Sequence, residues 1–300
     1  MRQGEGVEGG LHEMTSDSER LYCLTQDTQS VVVCQLPHLE LERKVDVGLT
    51  KGKVVVDQNH MFVLGWKDGV IKIYNKEDFS LTQTVIIPGV YFGGEVLLPC
   101  SYGVLIVPKS SNYIYLLSNE ESGWAIKPLN THFSSKVVSV AVKDDIMAIA
   151  FKDFIKIKTI QEQDTLFTLT PSLSAGDVQA MVLSPPFLLA VGDNAWEGVK
   201  VWNYQTGHLI RHTKFNGRTF ETIATNGNQV VIKEEMGYDD EFIFVLDLAE
   251  MCNKEMEDKK LWKEVRISEE GEDCVACHVT LNKTCLVIAR DRITALQVWR

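Results

Sequence analysis

The sequence has no apolar run near the eighteen residues that would suggest a membrane-spanning helix, and its start, MRQGEGVEGG, lacks the apolar core of an export signal. Seven cysteines, an odd number scattered without a framework (Cys23, Cys34, Cys100, Cys252, Cys274, Cys277 and Cys285), argue against a disulfide scaffold and fit small apolar fillers in a reducing compartment. Basic residues are in deficit, 30 Lys and Arg against 41 Asp and Glu, for a formal net charge of -11. A field of that sign repels phosphate backbones and anionic lipid, so the expected partners are proteins, basic segments among them, and neither nucleic acid nor membrane. No glycine-rich phosphate loop opens a helix and no Gly-x-Ser-x-Gly elbow occurs, so no enzyme activity, no cofactor and no metal are expected. The expected location is the cytoplasm or nucleus, outside the secretory route.

What is present is a repeat. A short strand-like segment recurs seven times, ending at Cys34, Tyr74, Ser118, Lys158, Trp202, Leu246 and Trp299, at intervals of 40, 44, 40, 44, 44 and 53 residues. Three positions and one position before each end the residue is apolar: Val31/Val33, Ile71/Ile73, Tyr115/Leu117, Ile155/Ile157, Val199/Val201, Ile243/Val245 and Leu296/Val298. A period of that length marks propeller blades of four strands, a, b, c and d. The sequence therefore predicts an all-β, seven-bladed propeller with four-stranded antiparallel blades, folding as a single domain over residues 1–300. Its blades are expected at about 10–48, 52–88, 94–129, 137–170, 178–214, 220–268 and 274–300.

Unit two shows the plan: Val54 to Val56, Met61 to Gly65, an Asp68-Gly69 hairpin turn, Val70 to Tyr74, then Leu81 to Ile87. The longest interval is expected to hold a short exposed helix or ordered excursion within Ala249 to Lys260. The last unit stops at its third strand, and the N-terminal segment is expected to close the ring. Either Leu11 to Thr15 supplies that strand or the chain is one strand short.

The segment VKVWNYQTGHLIR, Val199 to Arg211, resembles the third and fourth strands of a WD40 repeat; IKIYN, from Ile71 to Asn75, and LQVWR, from Leu296 to Arg300, are looser copies. In that family a His, an Asp in the b-to-c turn, a Ser or Thr and the Trp share a hydrogen-bond network. Asp68, Asp153 and Asp291 match the Asp, His132 the His, and Trp202 and Trp299 the Trp, though no unit carries the whole set. The resemblance implies a scaffold or adaptor for protein complexes, a monomeric propeller within a larger assembly. It also implies the alternative of a ubiquitin-ligase substrate receptor lacking its adaptor-binding segment.

Other motifs read as structural. Cys274-Val-Ala-Cys277-His278 matches the haem-attachment pattern, but residues three apart on a strand face opposite sides. His208 and His212 have helical metal-site spacing yet fall on a strand, where about 13 Å separates them. Glu234, Glu235, Asp239, Asp240 and Glu241 form an acidic turn without the alternation of a calcium loop, suited to a basic peptide. Asn282-Lys283-Thr284 is a glycosylation triplet without an export route.

Equivalent b-to-c turns of a propeller share one face, so Trp66, Lys67, Lys109, Phe151, Lys152, Trp196, Tyr238, Arg290 and Arg292 form a candidate partner-binding rim. Each is an anchor or, equally, a residue packed between blades. A propeller enzyme with hydrolase-like carboxylates at the channel mouth is the alternative from another class.

Overall fold

The computed structural model describes residues 11–25, 28–49, 51–66, 69–87, 96–108, 113–129, 133, 135–162, 164–170, 178–192, 198–214, 220–234, 242–252, 262–266, 278–281, 286–289 and 295–297. They form antiparallel sheets in two compact units.

One unit holds three four-stranded sheets and a three-stranded one. The first contains β1 (Leu11–Ser16), β2 (Arg20–Thr25), β3 (Ser30–Gln35) and β4 (Glu40–Asp46). The second contains β5 (Gly52–Val56), β6 (His60–Gly65), β7 (Val70–Asn75) and β8 (Leu81–Ile86). The third contains β9 (Val96–Cys100), β10 (Gly103–Val107), β11 (Tyr115–Glu120) and β12 (Gly123–Pro128). The other unit holds the fourth, fifth and sixth sheets. These are β13 (Ser139–Lys143), β14 (Ile146–Ala150), β15 (Ile155–Thr159) and β16 (Thr165–Leu169); β17 (Val178–Ser184), β18 (Phe187–Gly192), β19 (Val199–Asn203) and β20 (His208–Thr213); and β21 (Phe220–Thr225), β22 (Gln229–Glu234), β23 (Phe242–Asp247) and β24 (Trp262–Arg266).

The described residues form an all-β propeller with six four-stranded blades, which corrects the expected seven. The final repeat forms only the three-stranded sheet β25 (His278–Leu281), β26 (Leu286–Ala289) and β27 (Ala295–Gln297) among the described residues. Ring closure by the N-terminal segment is corrected too. Leu11–Ser16 is the first strand of the first sheet, paired Met14↔Cys23 and Ser16↔Leu21, and among the described residues it pairs with β2 and not with the three-stranded sheet. Leu11 and Met14 pack with Leu21, Cys23 and Cys34, which ties that strand to its own sheet.

The middle strands are apolar on both faces, and in the second and fifth sheets both faces are seen to be covered by neighbouring sheets. On β6, Met61 and Val63 pack with Tyr22 and Val33 of the first sheet, while Phe62 and Leu64 pack with Val104 and Ile106 of the third. In the other unit, Leu188 and Ala190 face Ala148 and Ile157, and Leu189 and Val191 face Val230 and Ile232. Outer strands are largely exposed, and β4, ELERKVD, carries charges that discourage edge pairing. Between the second and third sheets, the Gln83 carboxamide bridges to β12, donating to the Trp124 carbonyl at 2.9 Å and accepting from the Trp124 N–H at 2.8 Å. The expected helix is α1 (Leu248–Cys252), begun by Asp247 Oδ1 accepting from the N–H groups of Ala249 and Glu250. It is not simply exposed, because Leu248 and Met251 enter the core of the sixth sheet.

The c-to-d turns share one left-handed position, occupied by Leu39 (φ 59), Phe79 (φ 60) and Gly207 (φ 73). Each N–H donates to the carbonyl four residues back, and the ladder bulges beside each turn. Glycine suits this conformation, and a side chain there costs about 1–2 kcal/mol. Leu39 and Phe79 offset that cost by being buried, and the guanidinium carbons of Arg20 and Arg43 each stand 5.8 Å from the Phe79 ring centre.

Replacement Phe79→Gly should therefore lower unfolding free energy by about 2 kcal/mol, because lost burial exceeds the relieved backbone strain. Replacement Gly207→Ala should also destabilise, by about 1 kcal/mol, through strain alone. Urea denaturation of the two variants measures both.

Candidate functional site

The a-to-b turns are built on a repeated Asx device. Asp17 Oδ1 accepts from the N–H groups of Glu19 (2.9 Å) and Arg20 (2.8 Å). Asp57 Oδ1 accepts from Asn59 (2.7 Å) and His60 (2.6 Å), and Asn226 Oδ1 from Asn228 (3.0 Å) and Gln229 (2.8 Å). In five sheets the third strand then locks onto this end of its sheet. The residue just past it donates its N–H to an a-to-b turn carbonyl: Leu36 to Glu19, Lys76 to Asn59, Ile160 to Asp145, Tyr204 to Pro186 and Leu248 to Asn228, at 2.7–3.0 Å.

Where the first two sheets adjoin, these turns enclose an open cleft of about 660 Å³. Lys76, buried at 8% exposure, crosses between the sheets. Its Nζ lies 2.8 Å from Asp17 Oδ2 and donates to the Asp57 carbonyl at 2.7 Å. The Tyr22 hydroxyl donates to the same Asp17 oxygen at 2.9 Å. Burial pushes the Asp17 carboxyl upward, but the Lys76 ion pair and the bonds from Glu19, Arg20 and Tyr22 outweigh it and hold the group below its ordinary value. Burial first, and then the charge of Asp17, raises Tyr22, which stays a neutral donor. Arg20 is held by Glu42, Nε to Oε2 at 2.8 Å. Both lining cations are thus engaged, whereas the exposed carboxylates of Glu19 and Glu77 make no ion pair or side-chain hydrogen bond among the described residues.

Of the nine rim candidates, Lys67, Lys109, Trp196, Tyr238, Arg290 and Arg292 lie outside the described residues. Trp66 follows β6, at the opposite end of that strand from the cleft, roughly 20 Å away. It is half-buried, meets the His12 ring edge-on at 4.5 Å, and has its Nε1 enclosed without a hydrogen-bond partner among the described residues. Phe151 is 3% exposed and packs against Phe133 and Phe154, with ring centres 5.2 and 4.7 Å away. Lys152, beside it, is exposed. Trp66 belongs to one unit and Phe151 and Lys152 to the other.

Among the residues matched to the WD40 network, Asp153 is exposed in its b-to-c turn and Trp202 is buried between the fourth and fifth sheets. Asp68, Asp291, His132 and Trp299 lie outside the described residues, as do Cys274, Cys277, Glu235, Asp239, Asp240, Glu241 and the Asn282 triplet. His208 and His212 both sit on β20, His208 exposed. Burial, and then the neighbouring Cys34, raises the free thiol of Cys23, and burial, and then Glu42, raises that of Cys34 to about 11. They are protonated and unreactive at neutral pH. Among the described residues no group of His, Cys, Asp or Glu could hold a metal ion, and no helix is long and apolar enough to cross a membrane.

The cleft residues were not singled out by motif, although Asp17 and Asp57 repeat at the same 40-residue interval as Cys34 and Tyr74. That spacing is the signal that could have found them.

No protein-family model matches the chain, and no curated protein is significantly similar to it. Solved structures do share its fold. Hsv2 of Kluyveromyces lactis is 9% identical, with a TM-score of 0.69 over 98% of each chain. Raptor of Chaetomium thermophilum is 13% identical, with a TM-score of 0.71 over 98% of this chain and 28% of Raptor. The computationally designed Ika8 protein is 13% identical, with a TM-score of 0.63 over 99% of this chain and 98% of its own. Hsv2 and Raptor are WD40 β-propellers, so the likeness is one of fold.

The lock gives a pH signature. A carboxyl held low in the folded state contributes stability above its unfolded value, and that contribution fades as pH falls through the folded one. Unfolding free energy should therefore drop as pH falls below the ordinary carboxylate range, with a shallower drop in Asp17→Asn. Replacement Lys76→Met, which leaves the Asp17 charge without its counter-ion, should cost about 2 kcal/mol at neutral pH. Denaturant titrations across pH measure both effects.

Proposed function

We propose that this chain, acting as one domain, is a non-catalytic scaffold that binds other proteins at the turn ends of its sheets. The cleft between the first two sheets carries the reading. Asp17, the carboxylate that crosses to Lys76, accepts four hydrogen bonds and ion-pair contacts, so it has no spare lone pair for a proton or a substrate. Glu19, Glu77 and the amide of Gln58 instead face solvent on a concave surface. A cleft with saturated internal charges and outward acceptors favours recognition over chemistry. The fold shared with Hsv2 and Raptor supports the same reading, because propellers of the WD40 kind serve as platforms for protein complexes.

Trp66, Phe151 and Lys152 are the described candidates at the b-to-c ends; Phe151 is buried, so Trp66 in one unit and Lys152 in the other are each kept as a separate further contact point. Acidic overall charge favours partners with basic segments there and at the cleft.

Affinity capture with wild type, the cleft variant Glu19→Lys/Glu77→Lys and the rim variant Trp66→Ala/Lys152→Glu tests the proposal, with circular dichroism confirming each fold. The cleft variant should lose captured proteins that wild type retains. Identical recovery in all three would sink the scaffold reading.

A further inference from the structure

We infer that the open edge of β8 pairs with β8 of a second copy of this chain, antiparallel and two-fold about Val85, a departure from the monomer that the WD40 resemblance implies. Backbone geometry shows which groups that edge offers. Hydrogen-bonded and non-bonded pairs alternate along an antiparallel ladder. Ile87 donates its N–H to the Gly69 carbonyl, so Val85 bonds to Ile71 and Gln83 to Ile73, whereas Ile86 and Thr84 occupy the non-bonded positions between them. The N–H and C=O groups of Thr84 and Ile86 therefore point away from β7, and no strand meets them among the described residues. The same count on β12, from the Leu129 bond to Ile114, turns Trp124 outward, and that is where Gln83 meets it.

What sets β8 apart is an edge without a guard. One repeat earlier, the Val47 N–H bond to Gln29 places Lys44 and Asp46, both exposed, where β8 has Thr84 and Ile86. β12 carries Lys127 and Pro128, β20 has Arg211 between two histidines, and β24 is WKEVR. β16 is uncharged too, but its bulge at Leu166 leaves only 167–169 in regular register, against 83–86 in β8. On β8 the apolar side chains also reach solvent, Ile86 being 65% and Leu81 52% exposed.

The occupant is a second copy because the strand is its own complement. With Val85 on the two-fold axis, Thr84 of each copy lies opposite Ile86 of the other, and each such pair exchanges both of its outward hydrogen bonds. The exposed Ile86 side chain then packs beside Thr84 of the second copy on one face, a β-branched pair suited to a pleated surface. Charge points the same way. Chains of formal net charge -11 repel one another, yet no charged residue occurs between Asp78 and Glu95, so the paired strands meet without opposing like charges.

Sedimentation equilibrium of the full chain should show a reversible dimer with a dissociation constant on the order of 10⁻⁴ M, because so short a pairing covers well under the ~800 Å² per partner of a stable interface. Association should strengthen with salt, which screens the net charge. Ile86→Lys and, separately, Thr84→Pro, which removes an outward donor, should each weaken it about tenfold or more while circular dichroism stays unchanged. Leu41→Lys, at an exposed leucine of β4, should not. Under mild oxidation Val85→Cys should cross-link to its copy more readily than Thr82→Cys, since a non-hydrogen-bonded pair sets the two Cα atoms about 4.5 Å apart. A chain that stays monomeric up to about 1 mM overturns the inference. So does a dimer that survives both β8 variants, one lost equally in Leu41→Lys, or equal cross-linking of the two cysteine variants. If Ile86→Lys loses captured proteins while wild type remains a monomer, the edge takes a strand of another protein, and the second-copy assignment falls while the scaffold reading stands.

Discussion

A sheet whose middle strands are apolar on both faces cannot stand alone in water. Met61 and Val63 need one neighbour and Phe62 and Leu64 another, and the same demand recurs on β14, β18 and β22. Covering both faces forces sheets to stack in series, and stacking brings the turns of adjacent sheets side by side. The cleft is a by-product of that requirement. Its walls are turn residues because the strand faces between those two sheets are already covered.

Where two turns meet, polar groups lose water and must find partners. The chain meets this with one backbone bond repeated in five sheets and one charged bridge between the first two. Lys76 satisfies an Asp side chain on one sheet and a carbonyl on its own, so the same ammonium joins packing between sheets to turn geometry within a sheet. The remaining acidic groups are left to the surface, and the electrostatic character of the cleft follows from which charges were needed inside.

The repeat was legible because burial on two faces imprints a long apolar phase on the second and third strands. Val31/Val33, Ile71/Ile73 and Val199/Val201 therefore report their strands directly. The blade number was not, since Leu11 to Ser16 has the same local character whether it begins the first sheet or completes the last. Its pairing with Arg20–Thr25 is a tertiary outcome. Likewise Phe151 carries no sequence mark separating a docking ring from one packed on Phe133 and Phe154. The Asp17–Lys76 bridge was hidden because its partners belong to different repeats and meet only after the sheets stack. Glycine at the left-handed turn was visible in Thr206-Gly207, whereas Leu39 and Phe79 disguise the same turn by filling it with burial instead of flexibility.

The Gln83 bridge has a consequence for solubility. A carboxamide presents a donor and an acceptor in the same relation as a peptide unit, and here it occupies both the N–H and the C=O that Trp124 turns away from its own sheet. Those are the groups an intruding strand from another polypeptide would use to set its register along β12. A single side chain therefore acts as a plug, stopping unwanted growth of that sheet at one rung of its outer ladder.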